Sequence, residues 1–454
     1  MSLEALLNQQ VDLVSVTDVL HEYLDCALVD AAYEGLRDRE RERAWTLKHM
    51  VEFWTAVVLR APPSLSHALR RACGGRDSGY PHVDASPQAF FKRSSSLRWE
   101  FFAEVFRGFV ERVTNQEPGQ FARHHREVAE RFGRILVIDG SNLDPVARRL
   151  KILWKQPEAP IPGSIFACYD LLRGTLADLR YTHTLRKGEL TLAREALAHL
   201  PAGSLLVGDR LFGTPRFLAD VQESGLFGVF RRQNWAKVAK EEFLGHTEID
   251  ESAIEDWRVA IGDRARQPAR LIRVTRGEDR FEFITNMLDP EQLPALDVSE
   301  LYRDRWEVER MFHDLKRVLN LHCFYCGNTN AIAVQLYASA IVYTAMRVAQ
   351  GRIAAEAEIE PEWISEAKLF PLLAAASATV TILEAGFLMT ERANPGVELN
   401  KPDWRHACNL QIRLGDILAD KTRGMRPREP MPAPRKRRFW REMPPPREPP
   451  AAHA

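Results

Sequence analysis

Two short apolar runs stop on aspartates, and they constrain the fold more than any other feature of the chain. Ile135–Ile138 is followed by Asp139-Gly140-Ser141, and Ser204–Val207 by Gly208-Asp209. A compact apolar run that ends in a turn signal reads as a buried strand. A polar residue at the C-terminal end of such a strand projects from the sheet edge, where α/β folds place ligands. Around these runs, Ser164–Leu172, Leu176–His183 and Phe227–Arg231 read as strands, and Gly188–Leu200 and Phe217–Glu223 have helical spacing. Strands alternating with helices predict a layered α/β core. Two strand-end aspartates on neighbouring strands would repel each other unless a divalent cation sat between them. Either one alone would serve equally well as a turn or helix-cap residue.

The rest of the chain frames this core. Residues 1–125 carry apolar residues at three and four spacing and read as a helical N-terminal region, either a structural cap or a module for binding DNA ends. Between 233 and 286 the period changes to two in Trp257–Ile261, Leu271–Thr275 and Arg280–Thr285, which predicts a mostly β insertion. A long helix over about Val298–Leu321 and a second over Ala331–Arg352 follow. Residues 353–420 read as a C-terminal helical region, with dimerisation as a possible task. The last stretch, 421–454, is proline-rich and carries Arg435–Arg438 as a basic cluster, the composition of a disordered tail with weak affinity for polyanions.

Composition narrows the classes of function. With 62 Lys+Arg against 62 Asp+Glu the formal net charge is zero, which excludes a uniformly basic coat but leaves room for a local basic groove. There is no run of 18 apolar residues, and the start of the chain lacks a basic segment followed by an apolar one, so neither a membrane span nor a secretory signal is expected. Six cysteines in 454 residues are too sparse for a disulfide scaffold and point to a reducing cytosol. Cys323 and Cys326 form a CxxC, half of a zinc site or a redox pair. Without a second CxxC or HxxxH nearby, it reads as a buried helix-to-loop pair.

The helix after the insertion carries the chemistry. At ~100° per residue with Tyr302 as zero, Arg305 falls near ~300°, Glu309 near ~340° and Lys316 near ~320°. The apolar residues Leu301, Val308, Phe312, Leu315 and Leu319 fall beside that stripe, so the polar residues flank a buried seam. Asp304, Glu307 and Asp314 fall on the opposite side and are expected in solvent. A carboxylate bracketed by Arg and Lys suits a site for both a hard cation and phosphate oxygens. An i,i+4 salt bridge would explain Arg305 and Glu309, but not Tyr302 and Lys316 on the same stripe.

Tyr302-x2-Arg305-x3-Glu309-x6-Lys316 resembles the Y-R-E-K signature of DDE-type insertion-sequence transposases of the insertion-sequence-four family. Asp139-Gly140-Ser141 is similar to that family's first aspartate context, D-G-[ST], and Asp209-Arg210-Leu211-Phe212 to its second, D-R-x-[FY]. The resemblance covers roughly residues 130–350. It implies an RNase H-like catalytic core in two parts, 130–232 and 287–352, interrupted by the insertion.

The resemblance also implies the activity: cut-and-paste transposition, by hydrolytic cleavage at terminal inverted repeats followed by 3′-OH strand transfer into target DNA. Asp139, Asp209 and Glu309 would be the catalytic acids and would hold two Mg²⁺ ions, with Mn²⁺ as a substitute, about 3.5–4 Å apart. Tyr302, Arg305, Lys316, Arg231 and Arg210 would contact DNA, with Arg232 the neighbour of Arg231 and able to replace it. Phe281 stands where some relatives stack a flipped base on tryptophan; Trp235 and Trp257, elsewhere in the insertion, read as core residues. The implied partners are element ends and target DNA, bound by a homodimer, in the bacterial cytoplasm at the nucleoid. A catalytically silent DNA-binding descendant and a nuclease without joining are the competing readings.

Overall fold

The structure, a computed structural model, describes residues 3–419 except 14–15, 35, 37–42, 75–78, 143–163, 185–186, 250–251, 264–265, 318, 320–323, 326–327 and 379–410. Cys323, Cys326 and the basic tail lie outside the described residues, as does much of 353–420.

The architecture is mixed α/β, built on one nine-stranded mixed sheet. Its strands are β2 (Ile135–Asn142), β3 (Ser164–Asp170), β4 (Thr175–Thr182), β5 (Leu205–Gly208), β6 (Phe227–Arg231), β7 (Val238–Ile249), β8 (Ser252–Ile261), β9 (Gln267–Arg276) and β10 (Asp279–Thr285), in the order β4-β3-β2-β5-β6-β10-β9-β8-β7. The β2–β5 and β5–β6 pairs are parallel and the others antiparallel. The insertion is therefore no separate module. Its last strand, β10, pairs with β6 and carries the core sheet straight on into three further strands, β9, β8 and β7.

Among the described residues, eight α-helices precede the sheet: α1 (Leu3–Asn8), α2 (Val16–Tyr23), α3 (Cys26–Glu34), α4 (Leu47–Arg60), α5 (Leu65–Gly74), α6 (Pro87–Ser96), α7 (Trp99–Gln116) and α8 (Arg126–Phe132). This region is not wholly helical. Strand β1 (Gln10–Asp12) pairs antiparallel with β11 (Gln411–Arg413), fastening the start of the chain to its C-terminal part.

Strand β2 shows how the sheet is covered. Ile135 and Val137 belong to the large core shared with the N-terminal helices, while Leu136 and Ile138 belong to a second core on the other face. That second face is closed by α9 (Glu189–Leu197) and α10 (Pro215–Glu223), which supply Leu192, Ala193, Phe217 and Leu218. Alternation of side chains between the faces then puts Asp139 with Val137 and Gly140 with Ile138. Beyond the sheet come α11 (Ala295–Asp304), α12 (Trp306–Arg317) and α13 (Thr329–Glu356). Helix α13 is apolar on every side and is the centre of the larger core, with α4 and α7 packed on it. It is long and apolar enough to cross a membrane, but 94% of its most apolar window is buried inside the protein.

The single helix expected over Val298–Leu321 is instead two. Arg305 N bonds to Tyr302 O and Val308 N to Arg305 O, so the turn tightens to three-residue spacing where α11 hands over to α12. The seam survives the break: Leu301, Val308, Phe312, Leu315 and Leu319 are all buried. Asp304 and Asp314, expected in solvent, are buried too. Asp304 is gripped by two histidines, and burial with Glu366 nearby pushes the Asp314 carboxyl up to about 6.

Candidate active site

Ile138 pairs in parallel register with Gly208, so Asp139 and Asp209 are the next positions along neighbouring strands. Asp209 follows the end of β5, but Asp139 does not open the turn expected of Asp139-Gly140-Ser141: β2 continues through it to Asn142, because β3 goes on pairing with it after β5 has ended. Adjacent strands run ~4.8 Å apart, and the charge of Asp209 reaches the Asp139 carboxyl. Each is held locally: Asp139 Oδ1 accepts from Gly140 N at 2.8 Å, and Asp209 Oδ1 from Leu211 N at 2.8 Å.

Glu309 reaches the pair from α12, which packs on β2. Its link is Arg305, whose Nη2 donates to Glu309 Oε1 at 2.7 Å while Nη1 stands 3.9 Å from Asp139 Oδ2. Burial pushes the Asp139 carboxyl up to about 7; the Gly140 N–H and Arg305 oppose that, and the charges of Asp209 and Glu309 add to it. All three acids therefore lie within electrostatic reach of one point.

A fourth carboxylate lies within electrostatic reach of Asp209, and the sequence reading missed it. Glu189 opens α9 directly above Gly140, where a Cβ at position 140 would lie 2.6 Å from Glu189 Oε2. Burial, with Asp209 adding to it, raises the Glu189 carboxyl above its ordinary range. Among the described residues no hydrogen bond or ion pair reaches its carboxylate. An acid in the first turn of a helix suits the helix dipole on its own, so nothing in the sequence marked it out. The one available signal was Gly140 itself, which leaves the space that Glu189 fills.

Around the acids lies a basic and aromatic rim. The Arg305 guanidinium sits 5.7 Å from the Tyr302 ring centre and 5.2 Å from that of Trp306, and its Nε is buried without a hydrogen-bond partner. Arg210 Nε is likewise buried and unpartnered. Tyr302 packs on Phe283 with ring centres 4.5 Å apart, and burial raises its hydroxyl pKa. Arg231 lies over the Phe281 ring at 5.1 Å, and its charge reaches Tyr302. Thus Arg231, Phe281, Tyr302 and Arg305 form one continuous margin. Lys316 lies on α12 beyond Glu309, and its side chain is not described.

Two further expectations resolve differently from each other. Arg232 is bound by Glu282 and by Ala236 O, so it is a structural ion pair within the insertion. Trp235, expected in the core, is 65% exposed, whereas Trp257 is partly buried between Phe243 and Arg273.

The donor set fits a hard divalent cation. It offers only carboxylate oxygens, one of them held near neutrality chiefly by burial, and Mg²⁺ and Mn²⁺ take such ligands. The buried, unpartnered Nε atoms of Arg305 and Arg210 fit an anion close by.

Residues 131–345 match the family model described as transposase DDE domain. A putative transposase, y4zB, of Sinorhizobium fredii strain NGR234 is 32% identical over 118 residues, which is 26% of this chain and 32% of that protein. A putative transposase for insertion sequence element IS4SA of Synechocystis sp. strain PCC 6803 is 24% identical over 34% of this chain and 44% of its own length. A probable transposase for insertion sequence element IS5377 of Geobacillus stearothermophilus is 24% identical over 355 residues, 74% of this chain and 85% of that one. The match thus spans less than half of the first two relatives and most of the third.

Proposed function

We propose, for a chain that belongs to the DDE-type insertion-sequence transposases, that it performs cut-and-paste transposition with Asp139, Asp209 and Glu309 as its catalytic acids. The observation that carries this reading is that Glu309, from a helix far along the chain, is joined through Arg305 to Asp139, whose carboxyl the charges of both Glu309 and Asp209 reach. In the proposal, 130–232 and 287–352 are the two parts of an RNase H-like core.

Asp139, Asp209 and Glu309 would hold two Mg²⁺ ions, which supply Lewis acidity to the scissile phosphate and to the departing 3′ oxygen. Arg305 neutralises charge between Asp139 and Glu309 in the free protein and has an Nε to spare, so it is built to turn to a phosphate oxygen when DNA arrives. Tyr302, wedged between Phe283 and Arg305, directs its hydroxyl as a donor to the same backbone. Arg231 and Phe281 extend this grip along the strand, with Arg210 and Lys316 flanking it.

The chemistry is two displacements at phosphorus. Water cleaves the strand at the end of the element and leaves a 3′-OH. That hydroxyl then displaces a 3′ oxygen of target DNA, joining the two strands. The reading places DNA-end recognition in residues 1–125, dimer contacts in 353–420 and two copies on paired ends.

The test is an assay of the full chain with DNA ends carrying the terminal inverted repeats that bracket its gene, in Mg²⁺. Cleavage followed by strand-transfer products is expected. Glu309→Gln should lose both while still shifting the DNA on a gel. Undiminished cleavage by that variant would overturn the assignment, and cleavage without joined products would leave a nuclease only.

A further inference from the structure

A second group of ligand-type side chains stands apart from the carboxylates. His124 and His125 lie in the 3₁₀ turn Arg123–His125 that leads into α8, and Asp304 is the last residue of α11. His124 Nε2 is 2.6 Å and His125 Nε2 3.0 Å from the same oxygen, Asp304 Oδ2. All three ligand atoms lie within 4.8 Å of one another. Two imidazoles from consecutive residues, 4.1 Å apart by ring centres, thus turn the same nitrogen toward one carboxylate from a distant part of the chain.

The surroundings are those of a bound ion. His125 is 1% and Asp304 6% exposed, while the His124 side chain is 40% exposed, so the group is closed behind and open on one side. Asp297 lies within electrostatic reach of His125 and is itself held by Arg131 at 3.2 Å.

We propose that His124, His125 and Asp304 form a zinc site with three protein ligands and a fourth position open on the His124 side. Two imidazole nitrogens and one carboxylate oxygen suit Zn²⁺, whereas Mg²⁺ prefers oxygen alone. Tetrahedral ligands at ~2.0 Å from zinc stand roughly 3.3 Å apart, so the present spacings need only a small outward shift. The ion ties the turn before α8 to the residue immediately preceding Arg305. It thereby stiffens the corner at which α11 and α12 part, and takes no part in phosphoryl transfer.

The test uses the full-length chain, stripped of metal with a chelator and titrated with Co²⁺ as a spectroscopic probe. One equivalent of tetrahedral Co²⁺, with visible d–d bands, no thiolate charge-transfer band and displacement by Zn²⁺, is the expected result. His124→Ala, at a half-exposed position, and Asp304→Asn should each weaken Co²⁺ binding about 10- to 100-fold. Asp139→Asn and Glu309→Gln should leave it intact, which separates this site from the proposed Mg²⁺ site. Absence of tetrahedral Co²⁺, a thiolate band from Cys323 and Cys326, or full binding by His124→Ala would each overturn the proposal.

Discussion

The Arg305 guanidinium stands 3.9 Å from the Asp139 carboxylate and binds Glu309 at 2.7 Å, so one side chain joins strand β2 to the helix that follows the insertion. A planar fork can serve two partners at once; an ammonium on a flexible stem cannot do so in fixed geometry. Arg305→Lys is therefore expected to keep DNA affinity within a few-fold and to slow single-turnover cleavage on the order of 10²-fold. Gel-shift and rapid-quench measurements on the same ends check the two halves of that statement.

The Asp139 carboxyl, raised to about 7, makes metal-free stability depend on pH. In the unfolded chain it titrates near its ordinary value of about 3.9. Between the two values the folded state holds the extra proton. This contribution is therefore complete below about 4 and is lost as pH rises through 7. Asp139→Asn removes the dependence. Relative to wild type without metal, its Tm should rise between pH 5 and pH 8, and calorimetry at the two values reads the difference. Because a bound cation must displace that proton, Mg²⁺ affinity should tighten over the same interval.

Glu189 gives a prediction specific to the fourth carboxylate. Glu189→Gln keeps its shape and removes a charge from the cluster, so the apparent Mg²⁺ requirement for cleavage should rise roughly 10-fold. Gly140→Ala drives a methyl group into the Glu189 carboxyl and should act in the same direction. A magnesium titration of cleavage rate decides it; an unchanged midpoint in both variants would place Glu189 outside the site.

Gly213 sits where a Cβ would collide with the carbonyl of Arg231. The backbone after Asp209 and the end of β6 thus approach each other more closely than any side chain allows, and Gln233 N bonds to Gly213 O to hold them there. Gly213→Ala is expected to cost on the order of 1–3 kcal/mol in denaturant unfolding. It should also reduce cleavage, since Asp209 and Arg231 flank this close approach.

Arg347 lies fully inside the larger core, donating to Gly174 O at 2.8 Å, Gln350 Oε1 at 2.9 Å, Glu366 Oε1 at 2.5 Å and the Tyr169 hydroxyl at 3.0 Å. Removing one partner of such a buried network leaves the others unsatisfied. Arg347→Met should destabilise by about 3–5 kcal/mol, read from urea midpoints, without changing metal dependence in whatever fraction stays folded.

What the sequence made legible were the features whose signal is local. Phe227–Arg231 is a strand at those bounds, Asp209 follows the end of a buried strand, and the seam from Leu301 to Leu319 faces the core, whereas β2 runs on past Asp139 to Asn142. What stayed hidden depended on tertiary partners. β7 is the edge strand of the sheet, and its sequence around Glu242 is too polar to show the alternation by which a strand is recognised. Asp304 and Asp314 have the helical phase of solvent-facing residues, yet His124, His125 and the core around Glu366 fold over them. The break at Arg305 has no proline or glycine to announce it. Glu189 needed knowledge of which strand end its helix would stand above.

The most direct test of the central claim is anomalous diffraction from crystals of the full chain soaked in Mn²⁺, recorded at the manganese edge. The account predicts manganese bound between the carboxylates of Asp139 and Asp209 with Glu309 completing the site, and its loss in Glu309→Gln crystals. Manganese found only elsewhere, with Asp139, Asp209 and Glu309 left unliganded at saturating metal, would contradict it.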